Sequence, residues 1–127
     1  MLVLVLTFTG YTQSPEVFPD DIRQDVGCEM TAKVVEDVLR EAQHSGERVF
    51  VISRIGIGEK KSQSWKRINF AEKRLSIEPV KDSLIFADGK PMVSAGGAME
   101  FWLGSRPRAI IRFQSKQQFC IDTPTHN

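Results

Sequence analysis

Apolar and polar residues alternate along the chain in blocks that predict helices and strands in turn. The first helix runs from Cys28 or Glu29 to about Gln43, and Gly46 follows where a helix usually ends. Its apolar stripe is Met30, Val34, Val35, Val38, Leu39 and Ala42. A near-continuous apolar run at residues 48–55, rich in β-branched residues, then predicts an inner strand that is covered on both faces.

A second helix follows the Gly56-Ile-Gly58 loop. Ser62 or Ser64 caps this helix, which runs to about Leu75. Its apolar stripe is predicted on Trp65, Ile68, Ala71 or Glu72, and Leu75. The remaining positions carry charge, so the helix is predicted to be amphipathic and basic.

Short apolar runs predict three further strands at residues 83–87, 98–103 and 109–113, with a turn at residues 105–108. Residues 11–27 hold two prolines and four acids and predict a loop. The order of elements is (β)αβαβββ. We therefore expect one α/β domain over residues 1–127, an α+β sandwich with two helices packed on a mixed sheet.

The two ends of the chain leave alternatives open. Residues 1–10 are apolar and predict a buried strand, a strand that pairs with another copy of the chain, or the remnant of a secretory signal. This stretch is too short to span a bilayer, and no transmembrane segment is predicted. Residues 114–127 predict a polar tail, and Cys28 and Cys120 are either two thiols or one bridge.

Charge is divided unequally although the net charge is only +1. Residues 1–47 hold nine acids and three bases, whereas residues 48–127 hold fourteen bases and seven acids. Two interpretations follow: the halves attract each other or simply face water, or the second half carries a basic binding surface.

The basic residues gather around one strand end and the second helix: Arg54, Lys60, Lys61, Lys66, Arg67, Lys73 and Arg74. Trp65 lies among them. Cations around an aromatic ring suit a nucleic acid strand or an acidic cell-wall polymer. The alternative is that Trp65 anchors the helix to the sheet while the bases face water. Trp102, beside Phe101 on a strand, adds a face that could support a homodimer.

Residues for catalysis or metal binding do not form a known arrangement. His44 and His126 are the only histidines, and neither has partners at ligand spacing. No Ser-His-acid arrangement occurs, and Gly56-Ile-Gly58 lacks the third glycine of a dinucleotide loop. We expect a protein that is not an enzyme and that uses no cofactor or metal.

Three stretches carry a resemblance to a known family: VFVISRIG at residues 49–56, SWKRINFA at 64–71 and GAMEFWLG at 97–104. Their order resembles the C-terminal OmpA-like domain of bacterial envelope proteins, a module that grips peptidoglycan, over residues 28–104. The resemblance implies a non-catalytic binding or assembly module, periplasmic or envelope-associated, with peptidoglycan or another envelope protein as partner. Arg67 falls where the family's helix arginine binds a peptide carboxylate, and Arg54 and Lys66 are the expected helpers.

The chain departs from the family at the acid that accompanies this arginine. Gly56 stands where the family has an aspartate, and Glu59 takes its place only if the loop folds back. Two other functions remain open: a cytoplasmic domain that binds nucleic acid or protein through the basic helix, and a small enzyme with an unrecognised site. Phosphate binding weakens steeply with salt, which separates a nucleic-acid ligand from a peptide carboxylate.

Overall fold

The computed structural model describes residues 17–24 and 29–114 of the 127-residue chain. Two helices, α1 (Glu29–Ser45) and α2 (Lys61–Leu75), are present in this part. The strands are β1 (Asp20–Gln24), β2 (Val49–Arg54), β3 (Leu84–Asp88), β4 (Ala98–Leu103) and β5 (Arg106–Phe113). A short 3-10 helix (Val80–Ser83) leads into β3. The predictions for residues 1–10, Cys28, Cys120 and the tail beyond Gln114 lie outside the described residues.

The five strands form one mixed sheet in the order β1-β5-β4-β2-β3. β1 runs parallel to β5, and β2 runs parallel to β3. β4 lies antiparallel to both of its neighbours. The predicted fold class, two helices packed on a mixed sheet, is confirmed, whereas the OmpA-like arrangement stays a prediction.

The core lies between the two helices and one face of the sheet. β2 alternates, so that Val49 and Val51 are buried toward the helices while Phe50 and Ile52 lie on the opposite face. Phe101 of β4 occupies the middle of this core. The other fully buried apolar residues come from α1, α2, β4 and β5: Val35, Val38, Ala71, Leu75, Met99, Leu103, Ala109 and Ile111. Burial of this apolar surface is the main force that holds the layers together.

The second face of the sheet, here called the open face, carries no helix within the described residues. Phe18 lies on it and meets the Trp102 ring edge-on, with 5.7 Å between the ring centroids. Phe18 also packs with Ala98 and Ile110 in a small second cluster. Phe18, two residues before β1, therefore covers part of the open face.

The prediction of an uninterrupted loop at residues 11–27 is wrong, because β1 lies inside it. Only Ile22 of this strand contacts the core, and its neighbours Asp20, Asp21 and Arg23 are charged. One apolar residue gives too little periodicity to reveal a strand. The strand forms because β5 supplies a parallel partner along its whole length.

The predicted turn at residues 105–108 is also too long. β5 begins at Arg106, so the hairpin turn is only Gly104 and Ser105, with Gly104 at a φ of 63°. Pro107 is tolerated opposite Trp102 because the register between β4 and β5 shifts at that point. A proline at an irregularity does not interrupt a strand.

The predicted stripe of α2 is correct only at its C-terminal end, where Ala71 and Leu75 are buried, whereas Ile68 is half-buried. Trp65 is 63% exposed, so it does not anchor the helix to the sheet. The buried face carries Ser64, Arg67, Phe70, Ala71 and Leu75. Neither predicted serine caps the helix, because its N-cap is Lys60 and makes no side-chain hydrogen bond. In α1 the buried stripe is largely as predicted, but Met30 is 56% exposed.

Candidate functional site

A buried ion pair lies where β2 ends and α2 begins. Arg67 donates from Nη1 to Glu59 Oε1 at 2.9 Å and from Nη2 to Glu59 Oε2 at 2.7 Å. The two side chains are only 2% and 5% exposed. The guanidinium also lies 4.2 Å from the centre of the Phe113 ring. We call Glu59 and Arg67 the buried pair.

The loop after β2 folds back, which brings Glu59 to Arg67. Gly58 has a φ of 83°, a left-handed conformation that glycine adopts without strain. The Gly56 N–H donates to Glu59 Oε1 at 2.8 Å. A side chain at Gly97 would lie 2.6 Å from Arg67 Nη1 and 2.7 Å from Glu59 Oε1, so this position must be glycine for the pair to close.

The electrostatics favour the charged form of Glu59. Burial by itself raises the pKa of this carboxyl. Hydrogen bonds from Arg67 and from the backbone N–H groups of Gly56 and Gly97 outweigh burial and hold the pKa below its ordinary value. The Glu59 carboxyl therefore stays ionised at neutral pH, and its hydrogen bonds with Arg67 fasten the loop to α2.

Arg54 makes a second ion pair on the open face of the sheet. Its Nε donates to Glu100 Oε2 at 2.7 Å, and its Nη1 donates to the Lys90 carbonyl oxygen at 3.1 Å. Trp102 donates from its indole nitrogen to the same carboxylate at 3.0 Å. Arg54 thus holds together β2, β4 and the loop after β3.

The three predicted ligand residues do not converge on one pocket. Arg67 is buried between α2 and the sheet, and Arg54 lies on the open face. Lys66 is exposed on the outer side of α2. All three residues lie near the end of β2 or on α2, but the alternation of β2 and the pitch of α2 separate their side chains.

The outer side of α2 carries a surface that is both basic and aromatic. Lys61, Trp65, Lys66 and Lys73 are exposed there, along an axial length of about 18 Å at 1.5 Å per residue. Within the described residues none of these three lysines makes an ion pair. Glu72 is the one acid of α2. We call this set the α2 basic surface.

Unlike the lysines of the α2 basic surface, the arginines of β5 form ion pairs, and these pairs join the two oppositely charged halves of the chain. Arg108 contacts Asp20 and Glu41, both at 2.6 Å. Arg106 likewise binds Glu41 and Glu47, and Arg112 binds Asp21. Hydrogen bonds from Arg106 and then Arg108 lower the pKa of Glu41. Attraction between the halves accounts for the β5 arginines, and among the residues that the structure describes it leaves Lys61, Lys66 and Lys73 without an ion pair.

A small polar cluster lies beside the buried pair. Ser64 Oγ donates to Ser53 Oγ at 2.7 Å and lies 3.1 Å from Asp88 Oδ1. The cluster joins α2 to the ends of β2 and β3. The two hydroxyls and the Asp88 carboxylate are hydrogen-bond partners of one another, and these bonds allow Ser53 and Ser64 to be buried.

The described residues contain no group of three or more His, Cys, Asp or Glu side chains that could hold a metal ion. None of the helices described here has the length and apolar character needed to cross a membrane.

Comparison with known proteins gives no assignment. No model of a known protein family matches the chain, and no curated protein matches it significantly.

Proposed function

We propose that this domain is a non-catalytic binding module of the bacterial cell envelope and that it holds peptidoglycan on the α2 basic surface. The observation that carries the proposal is the exposure of Trp65 next to unpaired lysines. An exposed tryptophan offers a partner a large apolar area together with a hydrogen-bond donor, and tryptophan is enriched at binding surfaces for this reason.

The chemistry of peptidoglycan fits this surface in two ways. Its peptides carry carboxylates, which attract lysine ammonium groups. Its sugar rings have apolar C–H faces that can pack against an indole ring. Lys61 and Lys66 flank Trp65, so one ligand can use both kinds of contact.

Arg67 enters this proposal only through a rearrangement. Both of its terminal nitrogens already hold Glu59, so a peptide carboxylate would have to take the place of that side chain. Opening a pair that is 2% and 5% exposed is costly because it leaves a buried charge unpaired. The exposed Lys66 needs no such step, and we therefore place the first contact there.

Single-stranded nucleic acid is the second candidate ligand, because bases stack on an exposed aromatic while lysines bind phosphates. The test is co-sedimentation with purified sacculi beside binding to a single-stranded oligonucleotide, each across a salt series. Retention on sacculi with a shallow salt response supports the envelope function. Salt-sensitive binding to the oligonucleotide alone supports the second candidate, and no binding to either contradicts both.

Two variants test whether the ligand binds to the α2 basic surface. Trp65→Ala and the triple replacement Lys61→Gln/Lys66→Gln/Lys73→Gln should both reduce retention on sacculi. If phosphates are the ligand, the triple replacement should lower the salt slope by about 2. The matched control replaces three exposed lysines elsewhere, Lys33, Lys81 and Lys90, with glutamine. Equal retention of the control and the α2 triple variant would contradict the proposed surface.

A further inference from the structure

The two edges of the sheet differ in chemistry. The β1 edge has the sequence DDIRQ, and its charged side chains are of the kind that discourages pairing with another strand. The β3 edge has the sequence LIFAD, with four apolar residues and no lysine or proline. Ile85 is 38% exposed on the open face. Within the described residues β3 pairs only with β2, so its outer edge has no neighbour.

The backbone of β3 shows which groups point outward. Gly89 donates to the Ser53 carbonyl oxygen of β2 at 2.9 Å. Because the direction of the backbone hydrogen bonds alternates along a strand, the N–H and C=O groups of Ile85 and Ala87 also point to β2. The N–H and C=O groups of Leu84, Phe86 and Asp88 therefore point away from the sheet. Such groups are a template for another strand.

We propose that the β3 edge pairs with the β3 edge of a second copy of this chain. The two strands run antiparallel about a two-fold axis at Phe86, and the two sheets join into one. In this register Phe86 lies opposite Phe86 of the second copy, and Leu84 lies opposite Asp88. The outward groups of Leu84, Phe86 and Asp88 then form about six backbone hydrogen bonds, since each hydrogen-bonded residue pair of an antiparallel ladder makes two.

Self-complementarity is the reason for choosing a second copy as the partner. A two-fold interface requires one surface to match itself, and in this register no acid faces an acid. Ile85 lies opposite Ala87 of the second copy on the open face. Ile85 also neighbours Phe50, which neighbours Trp102, so an apolar row runs from the middle of the sheet to the two-fold axis.

The size of this interface sets the expected behaviour. A five-residue edge is short, and a stable dimer usually buries about 1,200–2,000 Å² in total. We therefore expect reversible association that depends on concentration. The mass measured by light scattering or sedimentation should rise from 14.3 kDa toward twice that value as the concentration increases.

The first test uses Ile85→Lys, which places a cation on the edge next to the second copy. Natural edge strands use lysine in this way to prevent pairing. The matched control is Val93→Lys, the same kind of change at an exposed loop position. Association that is lost in Ile85→Lys and kept in Val93→Lys supports the proposal. A chain that is monomeric at every concentration overturns it, as does a dimer that Ile85→Lys leaves intact.

A second test needs no substitution. Hydrogen exchange of the Phe86 and Asp88 amides should be fast in dilute protein and slow in concentrated protein, because only a second copy covers them. The Ala87 amide points to β2 and should be protected at both concentrations, which provides an internal control. Protection of Phe86 and Asp88 in the 14.3 kDa monomer would mean that the same chain covers this edge, and would overturn a second copy as the partner.

Discussion

Replacing Glu59 with glutamine tests whether the buried pair holds the loop to α2. Glutamine keeps the shape of the side chain and removes its charge, so the Arg67 guanidinium, 2% exposed, is left without a counter-charge. Removing one partner of a buried ion pair costs about 3–5 kcal/mol of stability. Since small domains are stable by about 5–15 kcal/mol, this single change should be among the most destabilising in the chain.

A double-mutant cycle separates the pair from its surroundings. Arg67→Met alone leaves a buried carboxylate whose remaining partners are the backbone N–H groups of Gly56 and Gly97. Glu59→Gln/Arg67→Met removes both charges, and replacing both members of a buried pair is often nearly neutral. We expect the double variant to be more stable than Glu59→Gln alone. The free energy of unfolding would be measured by urea titration.

The pH dependence gives an independent measure of the same interaction. Because the pKa of Glu59 is lowered in the folded state, its stabilising contribution is complete above the ordinary value of 4.5 and is lost as the pH falls through the folded pKa. The stability difference between the wild type and Glu59→Gln should therefore shrink in acid. A difference under about 0.5 kcal/mol at neutral pH, the range of ordinary surface changes, would refute the reasoning.

Three further predictions follow from the fold. Gly97→Ala should lower the free energy of unfolding by about 1–3 kcal/mol, since its side chain collides with the buried pair; an unchanged melting temperature would contradict this. Phe101→Ala should cost about 3–5 kcal/mol in urea unfolding, whereas the exposed Trp65→Ala should stay within about 0.5 kcal/mol. Arg108→Gln removes the cation that binds Asp20 of β1 and Glu41 of α1, and it should accelerate hydrogen exchange in β1 more than in β2. An equal acceleration in both strands would contradict a role of Arg108 in holding β1.

The sequence predicts most of the elements because their apolar periodicity is strong. β2 is a continuous apolar run and lies inside the sheet as expected, but in the described part of the chain helices cover only one of its faces and Phe50 and Ile52 are half-buried. β1 is missed because Ile22 is its only residue in the core and its pairing partner, β5, is far along the chain. A strand that is specified by its neighbour leaves little trace in local periodicity.

The first half of the buried face of α2 is mispredicted for a different reason. Arginine is usually exposed, so the pattern predicts Trp65 on the buried stripe and leaves Arg67 outside it. The structure reverses the two, since Glu59 supplies the counter-charge that allows Arg67 to be buried. The Gly-rich loop that brings Glu59 back is visible in the sequence, but its path depends on the close approach of Gly97, more than thirty residues later. The local sequence pattern does not reveal a contact between residues so far apart in the chain.

The position of β5 between β1 and β4 has a consequence for synthesis. β1 is made before the other described strands, yet its one partner among them is β5, whose Arg108 lies 88 residues from Asp20. A nascent chain that ends before β5 can pair β2 with β3, but it lacks the strand that connects β1 to the rest of the sheet. Contacts between residues so distant in sequence make folding slow, and the unpaired strand edges of an incomplete chain favour aggregation. The domain therefore reaches its final contacts only after the hairpin of β4 and β5 has been made.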